Sequence, residues 1–207
     1  MRMCRLYWIF LATMTLIVSS CRVPYYYTSG DTAPKSEEIA LFDPVIQLNY
    51  FDDESVSEVP ESPLYEVIYD SLLKLTEESF IVYKVIPADN DRLLRIEAAS
   101  LKNLDKDILF ALPIPELLRE KIQESGNRYG VVVCADCDVE KSREAFSFKT
   151  KQFLVVLDFN LDLIVLDALS NTVTFYAQDS DQLAPFSYKM LRKLLRRSMK
   201  RMLKQYN

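Results

Sequence analysis

The chain has 207 residues, 49% apolar and 12% aromatic, which suits one folded domain with a substantial core and excludes a disordered protein. It carries 25 basic and 30 acidic residues and no histidine, which removes Ser-His and Cys-His nucleophile activation, histidine acid–base catalysis and histidine metal ligation. Three glycines (Gly30, Gly126, Gly130) leave no glycine-rich loop for phosphates, and the acidic balance argues against nucleic acid as a partner.

The first 21 residues read as an export signal. Arg2 and Arg5 form a positive start, and Leu6 to Val18 is apolar but short for a bilayer span. Val18-Ser19-Ser20-Cys21 then has the small-residue spacing that precedes a lipid-modified cysteine. This resembles a bacterial lipoprotein signal, which implies cleavage before Cys21, acyl chains on its thiol and amine, and a mature chain anchored in a membrane of the cell envelope. Arg22 rather than aspartate follows. By resemblance to the sorting rule of Gram-negative lipoproteins, that implies the outer membrane, facing the periplasm. The expected organisation is a signal peptide over 1–20, a lipid-anchored tether over 21–40 and a single α/β domain over 41–207.

The tether is rich in Pro, Ser, Thr and charge, with Tyr25-Tyr26-Tyr27 as its main apolar content and an expected contact near the headgroups. Val45 to Phe51 reads as a first strand. Asp52 to Glu61 follows as an acidic loop whose Asp52-Asp53-Glu54 cluster reads as a solvated turn rather than a cation site. Ser62-Pro63 opens a helix with serine as N-cap, and Leu64, Ile68, Leu72 and Leu75 form its buried stripe. Phe80 to Ile86 reads as a strand and Asp91 to Ala98 as a short helix; Leu104 to Leu112 has no clear period.

Pro115 starts another helix, which Ser125-Gly126 ends. Arg128 to Ala135 is apolar enough for a central strand. Phe153, Val155, Leu157, Phe159, Leu161, Leu163 and Val165 alternate in a strand read from Phe146 onward, which places Asp158, Asn160 and Asp162 on a wet face. Those three polar residues resemble half an EF-hand loop, but Leu163 and Leu169 stand where glycine and glutamate belong. A turn at Ala168 to Asn171 pairs this strand with Thr172 to Ala177, and a long helix closes the chain from about Pro185 to Leu203. The fold class is α/β: a mixed sheet with an antiparallel C-terminal meander, packed by helices.

Two features are candidates for function. Cys134-Ala-Asp-Cys137 is the one candidate redox pair; it reads as a structural disulfide in a turn, with a thiol–disulfide oxidoreductase as the alternative. If these residues stay extended, the thiols face opposite ways and cannot bridge. Two thiolates without histidine cannot complete a zinc site, so neither a metal nor any other cofactor is expected. The second feature is the last helix. Eight of the basic residues lie from Lys189 to Lys204 without one acid, including Lys189, Arg192, Lys193, Arg196, Arg197, Lys200 and Arg201. They surround a stripe of Leu191, Leu194, Leu195, Met199, Met202 and Leu203. The stripe is expected to dock on the sheet, leaving the charges for a partner protein or a membrane.

From Val45 to Leu203 the order of elements resembles a group of bacterial lipoprotein domains that includes the curli secretion lipoprotein CsgG, the penicillin-binding-protein activator LpoB and the N-terminal domain of TolB. The matching features are the long helix Ser62–Ser79, the step from Glu124-Ser125-Gly126 into the strand ending at Cys134, and the turn Asp167-Ala168-Leu169-Ser170-Asn171. Asn171 replaces glycine there, and asparagine also tolerates φ > 0. Cys134-Ala135 stands where the group has a glycine, and no long hairpin is evident among the early elements. The resemblance implies a non-enzymatic protein-binding or assembly role in the envelope, through another envelope protein or self-assembly, with no small-molecule substrate. The alternative it implies is a subunit of an oligomeric secretion channel.

Overall fold

A computed structural model of the chain describes residues 25–28, 37–51, 61–87, 92–147 and 152–206. The signal peptide over 1–20, Cys21, the tether residues 22–24 and 29–36 and the Asp52-Asp53-Glu54 cluster lie outside them. In chain order the elements are β1 (Tyr25–Thr28), β2 (Glu38–Phe42), β3 (Val45–Tyr50), α1 (Glu61–Glu77), β4 (Ile81–Ile86), α2 (Arg92–Lys102), α3 (Lys106–Ala111) and α4 (Glu116–Glu124). They continue with β5 (Tyr129–Ser147), β6 (Gln152–Asp167), β7 (Thr172–Leu183) and α5 (Tyr188–Gln205).

The strands form a seven-stranded sheet in the order β1-β7-β6-β5-β2-β4, with β3 also pairing β5. Pairing is antiparallel through β1, β7, β6 and β5 and parallel among β5, β2, β3 and β4, so the expected mixed sheet with a C-terminal meander is the fold. Strand parity divides the core in two. Val131, Val133, Ala135, Cys137 and Val139 of β5 meet Leu157 to Val165 of β6 under α1 and α5. Val132 and Cys134 join Ile164, Leu166 and Tyr176 on the other face, under α2, α3 and α4.

Several boundaries differ from expectation. The folded part begins before Leu41: Ile39 and Ala40 are fully buried in β2, which lies between β5 and β4, and β1 pairs with β7 along Phe175–Gln178. The tether reading failed because β2 offers five residues, too few to show a period beside polar neighbours. Asp43-Pro44 only interrupts the chain: β2 and β3 both pair with β5, and Asp43 accepts a 2.9 Å hydrogen bond from the Tyr69 hydroxyl. Ser62 is not an N-cap but lies in the first turn of α1. The unassigned stretch holds α3, capped by Asp105, whose carboxylate accepts from the Asp107 N–H at 3.0 Å. The strand expected from Phe146 is split: Phe146 and Ser147 end β5, and Gln152 begins β6.

Other local signals hold. Gly126 (φ +80°) closes α4, and Asn171 (φ 58°) takes the left-handed conformation in the β6–β7 turn. Asp167 organises that turn, accepting from Leu169 N–H at 2.9 Å and from the Arg128 Nε at 3.1 Å. Burial alone would raise its pKa, but the hydrogen bonds from Arg128, Leu169 and Ser170 together lower it.

Gly130 is fixed by packing. A Cβ there would stand 2.5 Å from Ile122 Cδ1 and 3.1 Å from Phe42 Cε2, so the missing side chain lets α4 approach β5. Gly130→Ala is expected to cost about 1–3 kcal/mol by overpacking, read as a lower urea midpoint, and Ile122→Val in the same chain should recover part of the loss. An unchanged midpoint would show that α4 can simply move away.

Candidate functional site

The Cys134–Cys137 pair is not a disulfide and not a turn. Both thiols are free and buried within uninterrupted β5, one on each face of the sheet. Extended backbone turns residues three apart in opposite directions, so the bridge expected from the sequence is sterically excluded. Burial raises both pKa values, that of Cys137 to about 12, so neither thiol is poised as a nucleophile.

Around Cys134 the structure gathers charges that the sequence did not single out. Asp162 was expected on a wet face, yet it is 2% exposed because α2 and α3 cover this part of the sheet. Its carboxylate accepts the Tyr176 hydroxyl hydrogen bond, and Lys106 Nζ of α3 sits 3.7 Å from the centroid of the Tyr176 ring. Lys102 of α2 pairs with Asp136 beside them. Burial raises the pKa of Asp162, opposed by the Tyr176 hydrogen bond and by Lys106. Burial likewise lowers the pKa of Lys106, against the pull of Asp162. These contacts tie α2 and α3 to the sheet. No signal short of the tertiary cover could have separated Asp162 from its exposed neighbour Asn160.

Above this cluster the same face is polar and less covered. Cross-strand register aligns Gln47 and Asn49 of β3, Asp136 and Asp138 of β5, Asp158 and Asn160 of β6, and Gln178, Ser180 and Gln182 of β7. Gln47, Asn160 and Gln182 are exposed, and Asn49 donates to Asp138 at 2.8 Å. Beyond this platform the β5–β6 ladder continues past the last β7 pair at Leu157–Leu183 to Ser147–Gln152, so a two-stranded arm projects from the sheet.

On the opposite face α5 is docked by Leu191, Leu195, Met199 and Met202, all buried, with Leu194 and Leu203 half-buried. Ser187, not the region of Pro185, caps it, accepting from the Met190 N–H at 3.3 Å. Its candidate contact residues separate by role. Arg201 reaches buried Asp179 through Nε at 3.1 Å and Asp181 at 3.3 Å, and Arg197 also pairs with Asp181. Burial works against the Asp181 charge, but Arg197, the Gln182 N–H and Arg201 together lower the pKa of Asp181. Arg192, Lys193 and Arg196 instead line a groove of about 320 Å³ with Asp70, Ser71 and Lys74 of α1. Lys189 and Lys200 are exposed. Among the described residues no helix is long and apolar enough to cross a membrane.

The sequence matches no protein-family model and no curated protein. Among solved structures, the chain is similar to the PelC dodecamer from Paraburkholderia phytofirmans (11% identity, 88% of this chain and 96% of that one, TM-score 0.42). It is similar also to lipoprotein GNA1162 from Neisseria meningitidis (11%, 82% and 99%, TM-score 0.37) and to protein CT253 from Chlamydia trachomatis (12%, 82% and 92%, TM-score 0.42).

Two substitutions test this assignment of charge. Because the folded pKa of Asp162 lies above its ordinary value, its contribution to stability is full at low pH and is lost as pH rises through the folded value. Asp162→Asn should therefore gain on the wild type in urea unfolding between pH 4 and pH 8; a constant difference would mean that Asp162 ionises freely. Arg201→Met leaves Asp179 buried without its main counter-charge and should cost about 2–3 kcal/mol, slightly less than a fully buried pair because Arg201 is partly exposed. Lys200→Met, as a control, should be close to neutral.

Proposed function

We propose that this chain is a non-enzymatic lipoprotein of the bacterial cell envelope, anchored through Cys21, that works as a protein-docking and assembly module. The polar platform carries the reading: part of one sheet face is polar, with Gln47, Asn160 and Gln182 exposed beside the continuing β5–β6 ladder. A sheet face that a domain does not need for its own core, edged by amides and carboxylates, suits a polar protein interface. Burial of both thiols on opposite faces speaks against the oxidoreductase alternative. The outer membrane is the proposed address, on the strength of Arg22 after Cys21.

The partner is a second envelope protein or another copy of this chain. The continuation of the β5–β6 ladder past the last β7 pair favours a second reading, a subunit of an oligomeric secretion channel, because a two-stranded extension is an element that neighbouring subunits can share.

Photo-crosslinkers at Asn160 and Gln182 in living cells test the docking reading. One dominant envelope protein, or the chain itself, is the expected capture. Absence of protein adducts at both positions would sink it. Sizing in detergent separates the channel, which requires a large ring, from a monomer or dimer.

A further inference from the structure

The cations of α5 are not equivalent, and the difference has a direction. Arg197 and Arg201 point to β7 and are held by Asp181 and Asp179. Lys189, Lys193, Arg196, Lys200 and Lys204 recur every three or four residues on the side away from the buried stripe, and all five are exposed. Among the described residues none of the five takes part in an ion pair. The row runs about 22 Å along the helix. Its members repel one another at i, i+4 spacing, and Lys189 sits in a first turn without an acid, where the helix dipole disfavours a cation. Among the described residues no ion pair offsets this repulsion, and the one acid lining the groove with Lys193 and Arg196 is Asp70 of α1.

We infer that this row rests on the anionic headgroups of the bilayer that holds the lipid anchor. The inference rests on the Cys21 anchor proposed above. Cys21 precedes Tyr25 by four residues, so the anchor lies within about 14 Å of β1. β1 is paired with β7 along Phe175–Gln178, and α5 is clamped to β7 at the next residues, Asp179 and Asp181. The strand that follows the anchor and the basic helix therefore share β7 as a neighbour, and the short connection keeps the row at high effective concentration over the membrane. A straight row of cations also matches a planar array of phosphates. Since the apolar stripe of α5 is committed to the core, the contact is electrostatic, at headgroup depth and sensitive to salt, without helix insertion. The orientation leaves the polar platform, on the opposite face of the sheet, turned away from the lipid.

The test uses the lipidated full-length chain in phosphatidylcholine vesicles made with or without phosphatidylglycerol. An environment-sensitive fluorophore is attached at Lys200→Cys or, on the opposite sheet face, at Ile96→Cys; the native Cys134 and Cys137 are buried. The Lys200 label should shift to the blue and be quenched by headgroup-linked quencher only with phosphatidylglycerol, with loss of both effects in high salt, while the Ile96 label stays unchanged. Lys193→Glu with Lys204→Glu should abolish the response without changing the melting curve. A Lys200 label that reads the same on both vesicles, with the chain still floating, overturns this inference alone. A wild-type chain that fails to float, like Cys21→Ser, overturns the anchor and the inference together.

Discussion

The antiparallel ladder between β5 and β6 is the constraint on which the rest of the domain depends. From Tyr129–Asp167 to Lys141–Val155 its register pairs residue with residue, and β2, β3 and β7 all attach to one of these two strands. Both faces of the ladder are needed. Leu157, Phe159, Leu161, Leu163 and Val165 supply one core, while Ile164 and Leu166 supply the other. A slip of one residue would drive Asp158 and Asn160 into the α1–α5 core and expel five apolar side chains, so the register has no near competitor.

Helix positions follow from that ladder through a few charged contacts as well as through apolar burial. Asp179 and Asp181 reach the α5 face of β7 and select which arginines of the helix turn inward. On the other side, Asp162 and Asp136 receive Tyr176, Lys106 and Lys102 from β7, α3 and α2. Desolvation makes these groups costly to bury, so their net contribution to stability is small, but a wrong register leaves them unpaired. They act as placement devices: apolar stripes can slide by a turn, and a buried carboxylate cannot change partner without penalty.

One consequence is a domain with two unlike surfaces. The α5 side presents exposed cations above its core, and the opposite side presents half-buried carboxylates and exposed amides beside the continuing β5–β6 ladder. On the α5 side acids and bases meet, since Asp179 and Asp181 hold Arg201 and Arg197 and Asp70 of α1 shares a groove with Arg192, Lys193 and Arg196, while the platform on the other side carries only amides, hydroxyls and carboxylates. Under the proposed role as an assembly module, attachment is assigned to one of these surfaces and recognition to the other.

Much of this was legible from residue order alone. The period of α1, the glycine that closes α4, the alternation of β6, the asparagine in the β6–β7 turn and the stripe of α5 are local patterns, set by the geometry of three or four neighbouring residues. Export and a lipid anchor at Cys21 are likewise readings of a local pattern. Where the sequence misled, the deciding contact was distant. Cys134 and Cys137 suggest a bridge until β5 is seen to run straight through them to Ser147. Residues 38–42 lack a period until β5 and β4 close on both sides of them. Asp162 and Asn160 are equivalent in an alternating strand, and only the cover of α2 and α3 buries one and spares the other. By itself the sequence determined which elements form and which faces are apolar, because those depend on backbone period. Tertiary structure alone decided which charges are neutralised and which stay free, because that depends on which residues, far apart in the chain, the folded sheet brings together.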